Sequence, residues 1–436
     1  EAKSFKEQLS CYMSLPDRQD TSDDARKLRR SLTEYYYKLY LGCFMEYQNN
    51  KTKMPWEVKM FLMTGFIDQQ LAGEENTRCI FRIVSEYEPD PLGEYYTMFE
   101  WLNQIYELKI EPSKNEFDMD YTAYLHDRRI SAEITEEEES LLLYNKSERL
   151  LFEMKNIFTL GNRMTFGRVS NFFPFFDEKN VYMSLDKCYT SYADLRASFA
   201  HVRAMDYRCF YREELYANPQ AGLSQLVIHK EHLPRVIIFP NIGTRSVLWQ
   251  EIEGKKRNTS ARMLTSIFNL EDKDDAVYRM CGEFRWEMCK TEQGVHWNDL
   301  SDPSLTAEYS DYLQYYRKNQ LLVADVREKV KNSLQKAGNN YRKVFVQDYL
   351  VYLKYESQGI LRLNKAARDI LFRYCPFSAG ICKKLTPNSQ YATLIIRHEN
   401  KRIQKLRPLM NIAKRFELQD IAAPEELKKE IDYDEM

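Results

Sequence analysis

Three sets of residues have the types and spacing to do chemistry. Glu251, Glu253 and Lys255 form an E-x-E-x-K run after a β-branched and aromatic stretch. Residues two apart on a strand share a face, so such a pair could hold a divalent metal and position an attacking water, as in a metal-dependent nuclease. The aspartate that such a site takes from an earlier strand is missing from 223–250. A solvated strand end leading into Lys255, Lys256 and Arg257 accounts for the same residues. His229 and His232, with Glu231 between them, lie three apart. On a strand they point to opposite faces, which favours structural or surface histidines over a metal site. The third set is Glu283, Glu287 and His296 with Asp299 close by. The two glutamates stand one helical turn apart, so both carboxylates can face the same way for acid–base or metal chemistry. Against this, Trp286 and Cys289 fit an inward face, and Glu283, Arg285 and Glu287 fit pairing with neighbouring helices. If the chain carries a catalytic site, this segment is the first place to seek it.

Two further segments suit binding rather than catalysis. Arg397, Lys401, Arg402, Lys405, Arg407, Lys414 and Arg415 set seven cations against a single acid, Glu399. A helix so charged could follow phosphates or an acidic partner, although Leu406, Leu409 and Ile412 supply an ordinary core stripe. Phe166, Phe172, Phe173, Phe175 and Phe176 crowd into eleven residues with Gly167 and Pro174. This non-helical aromatic segment packs over a core seam or, through Phe172, Phe173, Phe175 and Phe176, presents a partner surface.

The elements that position these groups are mostly helical. Tyr36, Tyr40, Phe44 and Tyr47 recur at spacings of four, four and three on a helix predicted over 22–48. Further helices are predicted at 55–71, 76–88 and 92–109. Thr135 and Glu138 form a capping box ahead of the run from Leu141 to Phe158, which Gly161 is expected to end. A helix from Ser191 to Ala217 follows. Strand signals are confined to 223–253, in Leu226–Ile228, Val236–Phe239 and Val247–Trp249. From 257 the chain reads as helices over 303–319, 322–338, 339–359 and 389–416, then an acidic tail. Tyr309, Tyr312, Tyr315 and Tyr316 on one, and Tyr341, Phe345, Tyr349 and Tyr352 on another, suit helix–helix seams.

Composition agrees and excludes. Gly and Pro number 14 each in 436 residues, against about 7% and 5% in ordinary chains. A chain so short of glycine has little material for phosphate-cradling loops or dinucleotide folds. The net charge of −2 argues against a chain-wide nucleic-acid or membrane surface. No apolar run reaches a membrane span, and the first residues lack the apolar core of a signal peptide. Without an initiator methionine the chain reads as an excerpt or a processed product. Nine scattered cysteines with no C-x-x-C pair suggest reduced thiols and a cytoplasmic setting.

The stretch Gly282-Glu-Phe-Arg-Trp-Glu-Met-Cys, continuing through Trp297-Asn-Asp-Leu-Ser-Asp-Pro and on to Arg362-Leu-Asn-Lys, resembles helical regions of large bacterial cytosolic proteins. Some of those are described as containing cyclic-nucleotide-binding domains. The resemblance implies bacterial cytosolic regulation. It carries over no ligand residues, because the chain has neither the β-roll nor the glycine-bearing phosphate turn of such a cassette.

The sequence therefore predicts a mainly α chain, a multi-helix bundle or irregular helical solenoid with a small β insertion. Its blocks are 1–160, a mixed segment 161–256, and 257–436 with the basic helix. The expected function is a non-enzymatic scaffold or regulatory module without cofactor or metal. It would bind protein partners, including further copies of itself, through aromatic helical surfaces. The alternative is a nucleic-acid-associated protein, as a metal-dependent nuclease or otherwise, using Arg397, Lys401, Arg402, Lys405 and Arg407.

Overall fold

A computed structural model describes residues 2–14, 22–50, 54–164, 176, 178–181, 183–218, 223–243, 245–250, 260–320 and 322–435. The chain is mainly helical with a small mixed β region. It divides into two compact units, one of Glu1–Leu195, Arg235–Gln250 and Arg262–Ala276, the other of Arg196–Pro234, Glu251–Ala261 and Val277–Met436. These bounds do not follow the three sequence blocks: segment 161–256 contributes to both units.

In the first unit the aromatic stripe of helix Asp23–Asn50 forms as its spacing predicts. Asp23 and Asp24 occupy the first turn, and Tyr36, Tyr40 and Phe44 are fully buried. Tyr40 keeps its hydroxyl satisfied inside by donating to the carbonyl of Leu62 at 3.0 Å. This stripe shares one core with the faces of helices Trp56–Thr64, Met98–Tyr106 and Lys146–Met164 and with the sheet.

That sheet has the order β1 (Tyr95–Thr97), β4 (Arg235–Gly243), β6 (Arg262–Asn269), β5 (Val247–Gln250). β4 runs parallel to both β1 and β6, pairing Val236 with Tyr95 and Arg235 with Arg262. β5 is antiparallel to β6, with Val247 opposite Leu264. β6 is buried along its whole length, and β4 from Val236 onward. Burial on both faces explains their nearly continuous apolar runs.

The second unit holds an antiparallel hairpin, β2 (Tyr211–Asn218) with β3 (Leu223–Glu231), in which Tyr211 lies opposite Glu231. Helices Leu305–Gln314, Tyr341–Lys354, Lys365–Tyr374 and Ser389–Leu418 make up its bulk, with Glu425–Glu435 closing the chain. Their capping follows local sequence. Ser304, Asn340, Asn364 and Asn388 each accept a backbone N–H of the first turn. The helix expected to start at Ser301-Asp302-Pro303 thus begins two residues after the proline, where Ser304 supplies the cap.

The structure corrects four expectations. The helix predicted to run to Ala217 ends at Met205, and Tyr211–Asn218 is β2. Glu, Leu and Ala there suit a helix locally, but pairing with β3 overrides propensity. Residues 262–269, read as helical, form β6, because a short buried apolar run has no period that separates strand from helix. Within 92–109, residues Tyr95–Thr97 are strand, and the helix starts only at Met98 behind a Thr97–Glu100 capping box. Gly161 lies inside helix Lys146–Met164 rather than ending it.

Candidate functional site

One group of titratable side chains in the second unit surrounds His229 on β3. Its ring Nδ1 donates to Oε1 of Glu430 at 2.8 Å, and its backbone N–H donates to Oε2 of the same carboxylate at 2.6 Å. The other ring nitrogen, Nε2, faces Glu213 of β2 at 3.6 Å. Tyr433 stacks on the imidazole at 4.1 Å with the planes 16° apart. Glu430 and Tyr433 lie three apart on helix Glu425–Glu435, so they share one face, and that face packs on β3.

Burial disfavours charge on His229, but the hydrogen bonds to Glu213 and Glu430 outweigh it and hold the imidazole above its usual range. The hydrogen bond from His229 holds Glu213 low. Burial, with Glu213 adding repulsion, raises the carboxyl of Glu292. An imidazolium held between two carboxylates is a poor general base. The arrangement is an ion-paired clamp.

Beside the clamp, Arg208 lies over the rings of Tyr207 and Tyr433, at 5.2 and 5.8 Å. Its Nε donates to the Tyr207 hydroxyl at 3.0 Å. Beneath, Asp206 is fully buried, accepts from the hydroxyl of Tyr349 at 2.8 Å and meets Nε of Arg285 at 3.2 Å. Burial pushes Asp206 up despite these partners. A second buried centre is Glu356, which accepts from the backbone N–H groups of Arg362 and Leu363, from Arg368 and from Tyr391. Both ordered by burial, they are structural hubs.

Helix Ser389–Leu418 carries the basic residues. Arg397, Lys401, Lys405 and Arg407 are exposed, whereas Arg402 turns inward to Glu399 and the backbone carbonyl of Asp434. Its inner face buries Tyr391, Ile395, Leu409 and Phe416. A neighbouring side leaves Ile396 61%, Ile403 40%, Met410 40% and Leu418 86% exposed. Ile396, Ile403 and Met410 recur every seventh residue, within about 40° of one another around the axis. Arg407 and Lys414 sit on the same side of the axis as this stripe, whereas Arg397 and Lys401 lie about 100° or more around the helix from it. The charge was legible in the sequence. The outward isoleucines were not, because the inner stripe alone satisfied the amphipathic pattern.

The other predicted residues separate. Glu287 pairs with Arg342 at 2.7 Å, while His296 is 62% exposed and pairs with Asp299 at 3.4 Å. Glu283 is half-buried on the same helix as Glu287. His229 and His232 do point apart, the latter to Glu214 at 2.8 Å. Phe176, taken as partner-binding, is instead fully buried against Phe268 in the first unit, so it is removed from that surface. Phe172, Phe173 and Phe175 lie outside the described residues, as do Glu251, Glu253 and Lys255. Among the described residues no cluster of three or more His, Cys, Asp or Glu is arranged to hold a metal ion, and no helix is long and apolar enough to cross a membrane. No sequence signal points to the Glu430–His229 pair, whose members are 201 residues apart.

Residues 294–433 match a family described as a domain of unknown function, DUF8509. The match takes in the Glu356 hub, the basic helix and most of the closing helix. No curated protein and no solved structure matches the chain.

Proposed function

We propose that this chain is a non-catalytic interaction module that docks an acidic, amphipathic helix of a partner protein on the outer face of helix Ser389–Leu418. The observation that carries this reading is the stripe of Ile396, Ile403 and Met410 interleaved with Arg407 and Lys414. Cations alone would serve a polyanion such as RNA. Exposed isoleucines at seven-residue spacing add nothing to phosphate binding, but they offer the anchors that a helix lying along a helix needs. Acidic residues on the partner would meet Arg407 and Lys414 and set its orientation. A bundle-like or solenoid arrangement of helices would present such a face, and a regulatory role in the cytoplasm fits the same reading.

The test uses a designed helical peptide with leucines at seven-residue spacing flanked by glutamates, followed by fluorescence anisotropy on the full chain. Micromolar binding is expected. The double substitution Ile396→Ser and Ile403→Ser should weaken it at least tenfold with the thermal melt unchanged. Absence of binding at millimolar peptide would overturn the proposal. So would preferential binding of poly-uridine RNA or of anionic phosphatidylserine vesicles that survives the serine substitutions.

A further inference from the structure

We propose that the outer edge of β2 docks an extended segment of a partner protein as a third, antiparallel strand of the hairpin. The segment carries an apolar residue and, two positions later, an arginine or lysine. The hairpin register fixes which backbone groups face that edge. The N–H of His229 goes to Glu430 at 2.6 Å, away from β2. His229 lies opposite Glu213, so the two form a pair whose N–H and C=O groups point away from each other. Neighbouring bonds follow the same alternation. The N–H of His232 donates inward to the carbonyl of Phe210 at 2.7 Å, while that of Tyr211 turns outward to the carbonyl of Arg208 at 3.1 Å. Glu213 and Leu215 therefore send their N–H and C=O groups outward from β2. The sheet ends at β2, and among the described residues neither makes a backbone bond on that side. Two donors and two acceptors in a row are what an added strand takes up.

The side chains set the chemistry of that strand. Glu213 and Leu215 lie two apart on one face, with Val227 directly opposite Leu215. Leu215 is 78% exposed and Val227 47%, an apolar pair left in the open. An apolar residue placed opposite Leu215 would extend this pair. Two positions further along an antiparallel segment, a cation would stand opposite Glu213, whose carboxylate stays exposed beside His229. A second copy of this chain supplies no such cation. The two-fold registers that engage both residues within 211–217 set Glu213 opposite itself, Leu215 or Ala217. The bulge between Tyr216 and Asn218 ends the regular edge and keeps the added strand short.

The probe is a fluorescent octapeptide of threonines with isoleucine two residues ahead of arginine, titrated into the full chain and read by anisotropy. Half-saturation is expected below about 2 mM. Methylating the amide nitrogens of the isoleucine and arginine, which face β2, should abolish binding. Methylating that of the threonine between them, which faces away, should leave it. Glutamate in place of the arginine should weaken binding about fivefold. Leu215→Pro deletes an outward N–H and no ladder bond, so it should weaken binding about tenfold. The methylated peptides decide the matter on the unaltered chain if that variant melts early. No saturation up to about 2 mM overturns the proposal, and so does equal binding of the two methylated forms. Loss of binding in the double variant Ile396→Ser, Ile403→Ser would place the peptide on the helix and overturn it too. A wild-type dimer in sedimentation that Leu215→Pro dissociates would assign the edge to a second copy instead of a partner segment, against the proposal.

Discussion

Glu430 grips His229 twice, accepting the backbone N–H with one carboxylate oxygen at 2.6 Å and ring Nδ1 with the other at 2.8 Å. The first bond ties helix Glu425–Glu435 to the backbone of β3, and the second makes that tie depend on protonation. Leu427 on the same helix is fully buried against Leu409 and Phe416, so the helix is fixed by apolar packing as well.

The imidazole is held above its usual range, so its contribution to stability has a definite pH window. A raised folded pKa means that the folded state binds the proton more tightly than the unfolded chain. The stabilisation is therefore complete below about pH 6.5 and fades as the pH climbs through the folded value. As the pH rises above about 6.5, the melting temperature of the wild-type chain should fall by more than that of His229→Gln, which lacks the titration. Parallel melting curves for the two chains across this window would sink the idea. Glu430→Ala removes both bonds and should cost about 3 kcal/mol at pH 6.

Glu356 gathers more donors than any ordinary carboxylate can replace. It is fully buried and accepts from two backbone N–H groups, from Nε and Nη2 of Arg368 and from the Tyr391 hydroxyl at 2.6 Å. Glu356→Ala leaves Arg368 charged and unpaired in the interior, which should cost about 3–5 kcal/mol. The double change Glu356→Met with Arg368→Met removes both charges together and should recover part of that loss. A double-mutant cycle on thermal stability reads the coupling. If the two substitutions prove additive, the pair is not the hub described.

How much of this was legible in the sequence depends on range. The stripe of Tyr36, Tyr40 and Phe44, the Thr135–Glu138 capping box and the strands at 223–250 are local patterns, and each forms. β2 was misread because pairing with the next strand overrides the helix propensity of its residues, and β6 because a short buried apolar run carries no period that marks it as strand. Long range hid the clamp. Glu213, His229 and Glu430 carry no shared spacing, and only the hairpin and the closing helix bring them together. Phe176 was misjudged because aromatic crowding does not tell a covered seam from an open surface; burial against Phe268 decides it.

Gly243 shows a constraint of close approach. A β carbon at this end of β4 would overlap the hydroxyl of Ser266 and lie 2.9 Å from its β carbon. Gly243→Ala should therefore destabilise the first unit by about 1–3 kcal/mol through overpacking. Ser266→Gly in the same chain removes the obstructing atoms, so the double variant should regain most of what strain took. Equal destabilisation with and without Ser266→Gly would place the strain elsewhere.

Asn241, two residues earlier on β4, is fully buried, and neither Oδ1 nor Nδ2 has a hydrogen-bond partner. Desolvating an amide without pairing it costs about 1–3 kcal/mol, more than the side chain returns by packing. Leucine has nearly the same volume and no polar atoms, so Asn241→Leu should stabilise the chain by about 1–2 kcal/mol. Most core substitutions destabilise, which makes the opposite sign a sharp test. Asn241→Ala controls for volume: it removes the same polar atoms but opens a cavity, and should fall below the leucine variant. Thermal melts of the three chains at one pH and ionic strength give the ranking leucine, asparagine, alanine. A leucine variant that melts below the wild type would mean that the amide is paired in solution, and that its place at the end of β4 is secured by a bond to a neighbouring group.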